Sequence, residues 1–242
     1  LEALPATLDK YAVNAKTFNT LFDQWTESGR AIKCLQIDPK DAPTINGMLD
    51  APVWQQAWPI ECFSIIGHGR KMAEAFTPAE YPYDGENIYV GIESHAPTGN
   101  SILDKDTMDV FLANHEGMGN DYAQLSLSAN KNAVVNYHQR TAMPPSWKTP
   151  QYADGSWPIE FALTRMSNVW YTTIKLPTKP LLHPGKEFGN WRVGLSRNCY
   201  IEGVGPEISG MLPLDATTKH DTSYYPEMQL TQEPTPATKI TL

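Results

Sequence analysis

The 242-residue chain carries 19 Lys and Arg against 27 Asp and Glu, a formal net charge of −8, and 41% of its residues are hydrophobic. That length supports a sizeable core without disulfides or metal, and its scattered cations lack the clustered basic patch that a nucleic-acid backbone requires. No apolar run reaches membrane-spanning length, so no membrane insertion is expected, and 20 Pro with 16 Gly favour strands and loops over long helices.

In chain order, Leu8 to Ser28 has a loose helical apolar pattern through Tyr11, Phe18, Leu21, Phe22 and Trp25, which predicts a short N-terminal helical extension. Ala31 to Ile37 reads as a strand. Asn46-Gly47 signals a turn, and Asp50 is the expected N-cap of a one-turn helix carrying Val53, Trp54 and Ala57 inward. Strands are expected over Lys71–Thr77, Ile88–Glu93, Thr107–Leu112 and Tyr122–Ala129. A long loop from Tyr137 to Pro158 follows. A hairpin is expected from Ile159–Met166 and Val169–Leu176 around Ser167-Asn168, then strands at Asn190–Arg197 and Glu227–Thr231. Strand after strand with turn signals between them predicts an all-β antiparallel sandwich. The domain boundaries expected are an extension over 1–40 packed on a sandwich over 41–242. The chain starts at Leu1 rather than Met, which is read as a processed piece of a larger secreted protein.

Chemistry-bearing residues are sparse. Cys34, Cys62 and Cys199 are odd in number and have no CxxC spacing, leaving two readings: three buried thiols, or one long-range pair and one buried thiol. His115-Glu116 begins like a zinc-protease helix, but Gly119 stands where the second His belongs. Asp84 and Glu86 offer oxygen ligands that calcium could use, or form a solvated turn. No Gly-x-Ser-x-Gly elbow, P-loop or dinucleotide fingerprint occurs, so an enzyme is not expected. Trp147, Tyr152 and Trp157 stand in polar, proline-containing sequence, the context expected of rings that stack on a ligand. The alternative is that they plug one end of the sandwich. Trp54, Trp58, Trp170 and Trp191 lie in strand or turn motifs and read as core.

Several segments, in order, resemble the family 9 carbohydrate-binding modules and their family 9-like relatives. They are Ile45-Asn46-Gly47-Met48-Leu49-Asp50 with Trp54 and Ala57, Tyr83-Asp84-Gly85-Glu86-Asn87-Ile88-Tyr89-Val90, Asp106-Thr107-Met108-Asp109-Val110-Phe111-Leu112 and Tyr122-Ala123-Gln124-Leu125. Trp170 to Pro177, Trp191-Arg192-Val193 with Arg197, and Tyr224-Tyr225-Pro226-Glu227 extend the likeness, which spans about residues 44 to 231. The resemblance implies a sandwich whose concave sheet holds sugar by aromatic stacking and side-chain hydrogen bonds. It implies a non-catalytic module of a secreted, periplasmic or cell-surface bacterial protein, working beside that protein's other domains. It places Asp109 and Arg197 on the ligand-facing sheet, with an Asp–Arg brace as the other reading, and Tyr224 and Tyr225 near a second stacking position.

Departures also stand out. Ser101-Ile102-Leu103-Asp104 holds no aromatic where sugar binders of the family have one, Asp109 is shorter than the usual Glu, and Ser126 replaces a basic residue. They leave open a structural or interaction sandwich that has lost sugar binding. A haem-binding electron-transfer module, since related sandwiches use His or Met ligands, is a further alternative.

Overall fold

A computed structural model describes residues 19–20, 23–24, 27, 31–61, 63–68, 71–75, 77–96, 105–114, 122–130, 133–138, 158–166, 168–179, 191–201, 205–211, 219–220 and 224–235. Helix is minor, as expected: the described N-terminal positions Asn19, Thr20, Asp23, Gln24 and Glu27 are helical and exposed, and α1 is a single turn at Pro52–Gln56. The strands are β1 (Ile32–Gln36), β2 (Pro59–Ile60), β3 (Ser64–Ile65), β4 (Ala79–Glu80), β5 (Pro82–Tyr83), β6 (Asn87–His95) and β7 (Thr107–Asn114). They continue with β8 (Tyr122–Ser128), β9 (Ala133–His138), β10 (Glu160–Arg165), β11 (Val169–Pro177), β12 (Trp191–Ile201), β13 (Gly205–Gly210) and β14 (Met228–Thr231).

These strands form two sheets. The eight-stranded sheet runs β10-β11-β6-β5-β1-β14, with β4 also on β6 and β2 on β4; the six-stranded sheet runs β3-β13-β12-β7-β8-β9. Ladders are antiparallel except that β1 pairs parallel with both β14 and β5. β1 lies inside the sheet, so the sandwich takes in chain from Ile32 onward rather than from residue 41.

Period-two alternation sets the core, because successive side chains of a strand point to opposite faces. Ile88, Val90 and Ile92 of β6 and Trp170, Ile174 and Leu176 of β11 meet Met108, Val110, Leu112, Leu125, Leu127, Val193 and Leu195 of the other sheet. All of these are at most 2% exposed, and burying each such side chain is worth roughly 1.5–3 kcal/mol.

The outer face of the eight-stranded sheet is covered by the Thr44–Trp58 stretch. Leu49, Val53, Trp54 and Ala57 pack on Leu35, Tyr89, Val169 and Tyr171. Gly91 permits this contact: a Cβ there would lie 2.8 Å from Trp54 Cε3 and from Leu49 Cδ2. The helix starts from Ala51 with no side-chain cap and Pro52 at its head, so Asp50 is not the cap. Proline's preset φ and missing N–H lessen the need for one, and Asp50 instead accepts a long hydrogen bond from Asn46 Nδ2, at 3.5 Å.

The strand expected over Lys71–Thr77 is reduced to one bridge, Met72 to Ser64. The Glu207 carboxylate takes the backbone N–H groups of Glu74 and Ala75 at 3.0 and 3.1 Å, replacing a ladder. Of the four tryptophans read as core, Trp54, Trp170 and Trp191 are at most 1% exposed. Trp58 is half-buried, with the Lys33 ammonium 3.7 Å from its ring centroid and its indole N–H donated to Glu233 O. Cys34 and Cys199 are buried free thiols, and burial pushes Cys199 up to about 12. Cys62 lies outside the described residues.

Candidate functional site

The outer face of the six-stranded sheet is built by the residues that alternate with the core. On β7 these are Asp109, Phe111 and Ala113; on β8, Tyr122, Gln124 and Ser126; on β12, Arg192, Gly194, Ser196, Asn198 and Tyr200. Register places Ser126, Asp109 and Ser196 side by side across three strands, and Gln124, Phe111 and Gly194 one step along. Planar polar groups and aromatic edges therefore share one face, where Asp109, Phe111, Tyr122, Gln124 and Ser196 are buried against Lys219, His220, Tyr224 and Tyr225.

Asp109 is the centre of this surface, with its side chain 4% exposed. One carboxylate oxygen accepts from Gln124 Nε2 at 2.9 Å and from Ser126 Oγ at 2.5 Å. The other accepts from Lys219 Nζ at 2.5 Å and, at 3.5 Å, from Ser196 Oγ. Lys219 is held in turn by its carbonyl, which accepts from Tyr225 OH at 2.7 Å. Tyr225 is buried against Phe111, with ring centroids 5.5 Å apart, and lies over Gly194, where a Cβ would come within 3.0 Å of its Cε1. Phe111 also meets Tyr122 edge-on at 5.7 Å, and Tyr122 OH lies 2.7 Å from His220 Nδ1. At the rim, Arg192 pairs with Glu227 at 3.0 Å.

Burial lowers the His220 pKa below its ordinary 6.5, the Lys219 cation lowers it further, and Asp109 opposes them. A histidine held neutral in the fold takes up its proton more readily in the unfolded chain. Its contribution to stability is therefore intact above pH 6.5 and is lost as pH falls through that value towards the lower folded pKa. We expect the wild-type urea midpoint to fall between pH 7.5 and 5.5 more than that of His220→Gln; parallel profiles would remove this role.

The structure distributes the expected binding residues unequally. Asp109 lies on the outer face, Tyr224 is half-buried beside it and Tyr225 is buried within it. Arg197 is on the opposite face from Asp109, so the two do not share one face as the resemblance implied. Trp191, Val193 and Leu195 point into the core, and two more residues return the chain to the same side. There Arg197, with 0% side-chain exposure, donates to Asp106 Oδ2 at 2.6 Å, to His95 O at 2.7 Å and to Thr77 Oγ1 at 3.0 Å. Its acidic partner is Asp106, not Asp109. Trp147, Tyr152 and Trp157 lie outside the described residues, in the stretch between β9 and β10. Lys219 and His220 were not singled out from sequence, because nothing local marks a side chain that reaches its partners from 110 and 98 residues away.

Asp84, weighed as a calcium ligand, is spent on its own turn. It accepts the backbone N–H groups of Glu86 and Asn87 at 2.9 and 2.7 Å and the Tyr89 hydroxyl at 2.6 Å. Burial alone would raise its pKa, but these hydrogen bonds outweigh burial and hold the carboxyl below its usual value. Among the described residues no three His, Cys, Asp or Glu side chains are grouped to hold a metal ion. A cleft of about 410 Å³ at the C-terminal end of β1, between Gln36, Asp41, Gln56 and Gln232, is lined by no aromatic ring among the described residues, so flat apolar and planar polar groups coincide on the six-stranded face instead.

No family model and no curated protein matches the sequence. Solved structures do. A family 9 carbohydrate-binding module from Caldicellulosiruptor kristjanssonii in complex with cellotriose aligns over 83% of this chain and 93% of its own, with 13% identity and a TM-score of 0.57. A glucose complex of a family 9 module from the same organism aligns over 84% and 98%, with 12% identity and a TM-score of 0.57. A Bacteroides uniformis protein provisionally described as carbohydrate-binding aligns over 83% and 99%, with 8% identity and a TM-score of 0.58. The chain has the β-sandwich fold of the family 9 carbohydrate-binding modules.

Proposed function

We propose that this chain is a non-catalytic carbohydrate-binding module that holds glycan on the outer face of its six-stranded sheet. The single observation that carries the reading is the fold, shared over 83–84% of the chain with modules seen in complex with cellotriose and glucose. The cluster of Asp109, Gln124, Ser126 and Ser196 beside Phe111, Tyr122 and Tyr224 supports it chemically. Stacking by Trp147, Tyr152 and Trp157 belongs to the same proposal. So does a setting outside the cytoplasm, as an accessory domain that keeps the rest of a secreted or cell-surface protein near polysaccharide.

The test is a glycan array of the whole chain, with and without calcium, followed by titration calorimetry on any hit. We expect binding that Trp147→Ala with Trp157→Ala weakens at least tenfold, since two lost stacking contacts of about 1 kcal/mol each exceed the 1.4 kcal/mol that tenfold represents. Binding left intact by the double substitution removes the loop aromatics from the site.

A second reading is favoured by one observation: every acceptor contact described at Asp109 is made by the protein's own donors, and Tyr225 is buried rather than presented. A sandwich retained for structure or for protein contacts would look like this. Absence of binding to any glycan would select it.

A further inference from the structure

We infer that Asp109 is an amine-binding position, occupied by the protein's own Lys219, and that the glycan this face selects carries a protonated primary amine, as in a de-N-acetylated hexosamine. The inference rests on the carbohydrate-binding reading and adds to it the chemical class of the sugar.

Asp109 is a carboxylate with a 4% exposed side chain whose charge is met by one described cation, Lys219 Nζ at 2.5 Å. Gln124, Ser126 and Ser196 are neutral donors that complete its hydrogen bonding without supplying charge. A buried carboxylate deprived of its cation is strongly disfavoured. A ligand that takes Lys219's place must therefore bring a positive charge, or leave Asp109 uncompensated when the lysine swings out. A sugar hydroxyl provides the hydrogen bond but not the charge, whereas a sugar ammonium provides both.

The surroundings suit that exchange. Lys219 Nζ is held by a side-chain contact, its side chain is 19% exposed, and its stem is unbranched, so it can release into water without unfolding the sheet beneath. Among the described residues the other cation on this face, Arg192, is already paired with Glu227, which offsets its repulsion of an ammonium. A net charge of −8 on the whole chain raises the local concentration of cationic ligands.

The experiment compares three β-1,4-linked trisaccharides by calorimetry on the whole chain at pH 6.5 and low salt: the glucosamine trimer, its N-acetylated counterpart and cellotriose. We expect the glucosamine trimer to bind at least tenfold more tightly than either neutral trimer. Lys219→Met removes the internal competitor and should raise affinity for the amine trimer by a further tenfold, and Asp109→Asn should bring the three affinities together. Circular dichroism of each variant separates loss of fold from loss of selectivity. Equal or tighter binding of cellotriose overturns the amine assignment and leaves the carbohydrate reading standing. Failure of all three sugars to bind either wild type or Lys219→Met overturns the amine assignment, and absence of any hit on the glycan array as well overturns the carbohydrate reading with it.

Discussion

Arg197→Met is expected to lower the unfolding free energy by about 3–5 kcal/mol, because it strips the cation from a carboxylate that water cannot reach. The guanidinium and Asp106 both have 0% side-chain exposure, and the carboxylate's contacts with the Tyr200 N–H at 3.2 Å and the Cys199 thiol bring no positive charge to replace it. The loss also frees His95 O and Thr77 Oγ1 from the guanidinium donor that tied β12 of one sheet to β6 and the approach to β4 in the other. The double variant Arg197→Met, Asp106→Leu should recover much of the loss, since replacing both members of a buried pair removes the uncompensated charge that breaking it creates. Urea unfolding with a constant slope measures both. A single-variant cost below about 1 kcal/mol would show that the pair is hydrated and not the brace described here. Sugar affinity should be unchanged in the double variant, because Arg197 faces away from the proposed binding surface.

The same residue shows how far the sequence could be read. Trp191, Val193 and Leu195 alternate, and continuing the count by two puts Arg197 on their face; the family likeness drew it to the other. Asp109 was likewise placed by the family likeness, and alternation with the buried Met108 and Val110 puts it on the outer face. The long strands and the β10–β11 hairpin were legible because their apolar pattern repeats over many residues. The two-residue strands β2 to β5 were not, since two residues carry no period, and their pairing is decided by neighbours distant in sequence. β9, Ala133–His138, carries Val134 and Val135 but follows β8 too closely in composition to stand out. The parallel pairing of β1 with β14, nearly two hundred residues apart, has no local signature at all. Of the candidate site, the polar face of β8 with Gln124 and Ser126 was readable from strand pattern, and Asp109 on β7 from the family likeness. The groups that fill them, Lys219 and His220, arrive by tertiary placement alone.

The segment from Ile45 to Ala57 that opens the family likeness packs its apolar residues on the eight-stranded sheet, and this sets the second large expectation. Trp54→Ala should cost about 3–5 kcal/mol, the range for deleting a buried aromatic whose neighbours cannot close the cavity. Trp54 is 1% exposed and lies against Gly91 on the outer face of the eight-stranded sheet, within the cluster of Leu49, Val53, Tyr89 and Tyr171. Its neighbours cannot readily collapse into the gap, because β6 beneath it is pinned by nine paired positions to β11. Gly91→Val tests the contact from the other side: its Cβ would meet the Trp54 ring at 2.8 Å, and overpacking of this kind costs roughly 1–3 kcal/mol. Trp58→Ala is the internal control, since that half-buried ring gives up one hydrogen bond and a cation contact at 3.7 Å worth about 1 kcal/mol each. Thermal or urea unfolding of the three variants should rank Trp54→Ala as the most damaging. If Trp54→Ala instead kept its stability and altered glycan affinity, the segment from Ile45 to Ala57 would be part of a binding surface, and the six-stranded face would lose its claim to be the sole site. With the ranking expected here, the segment acts as a clamp that closes one side of the sandwich.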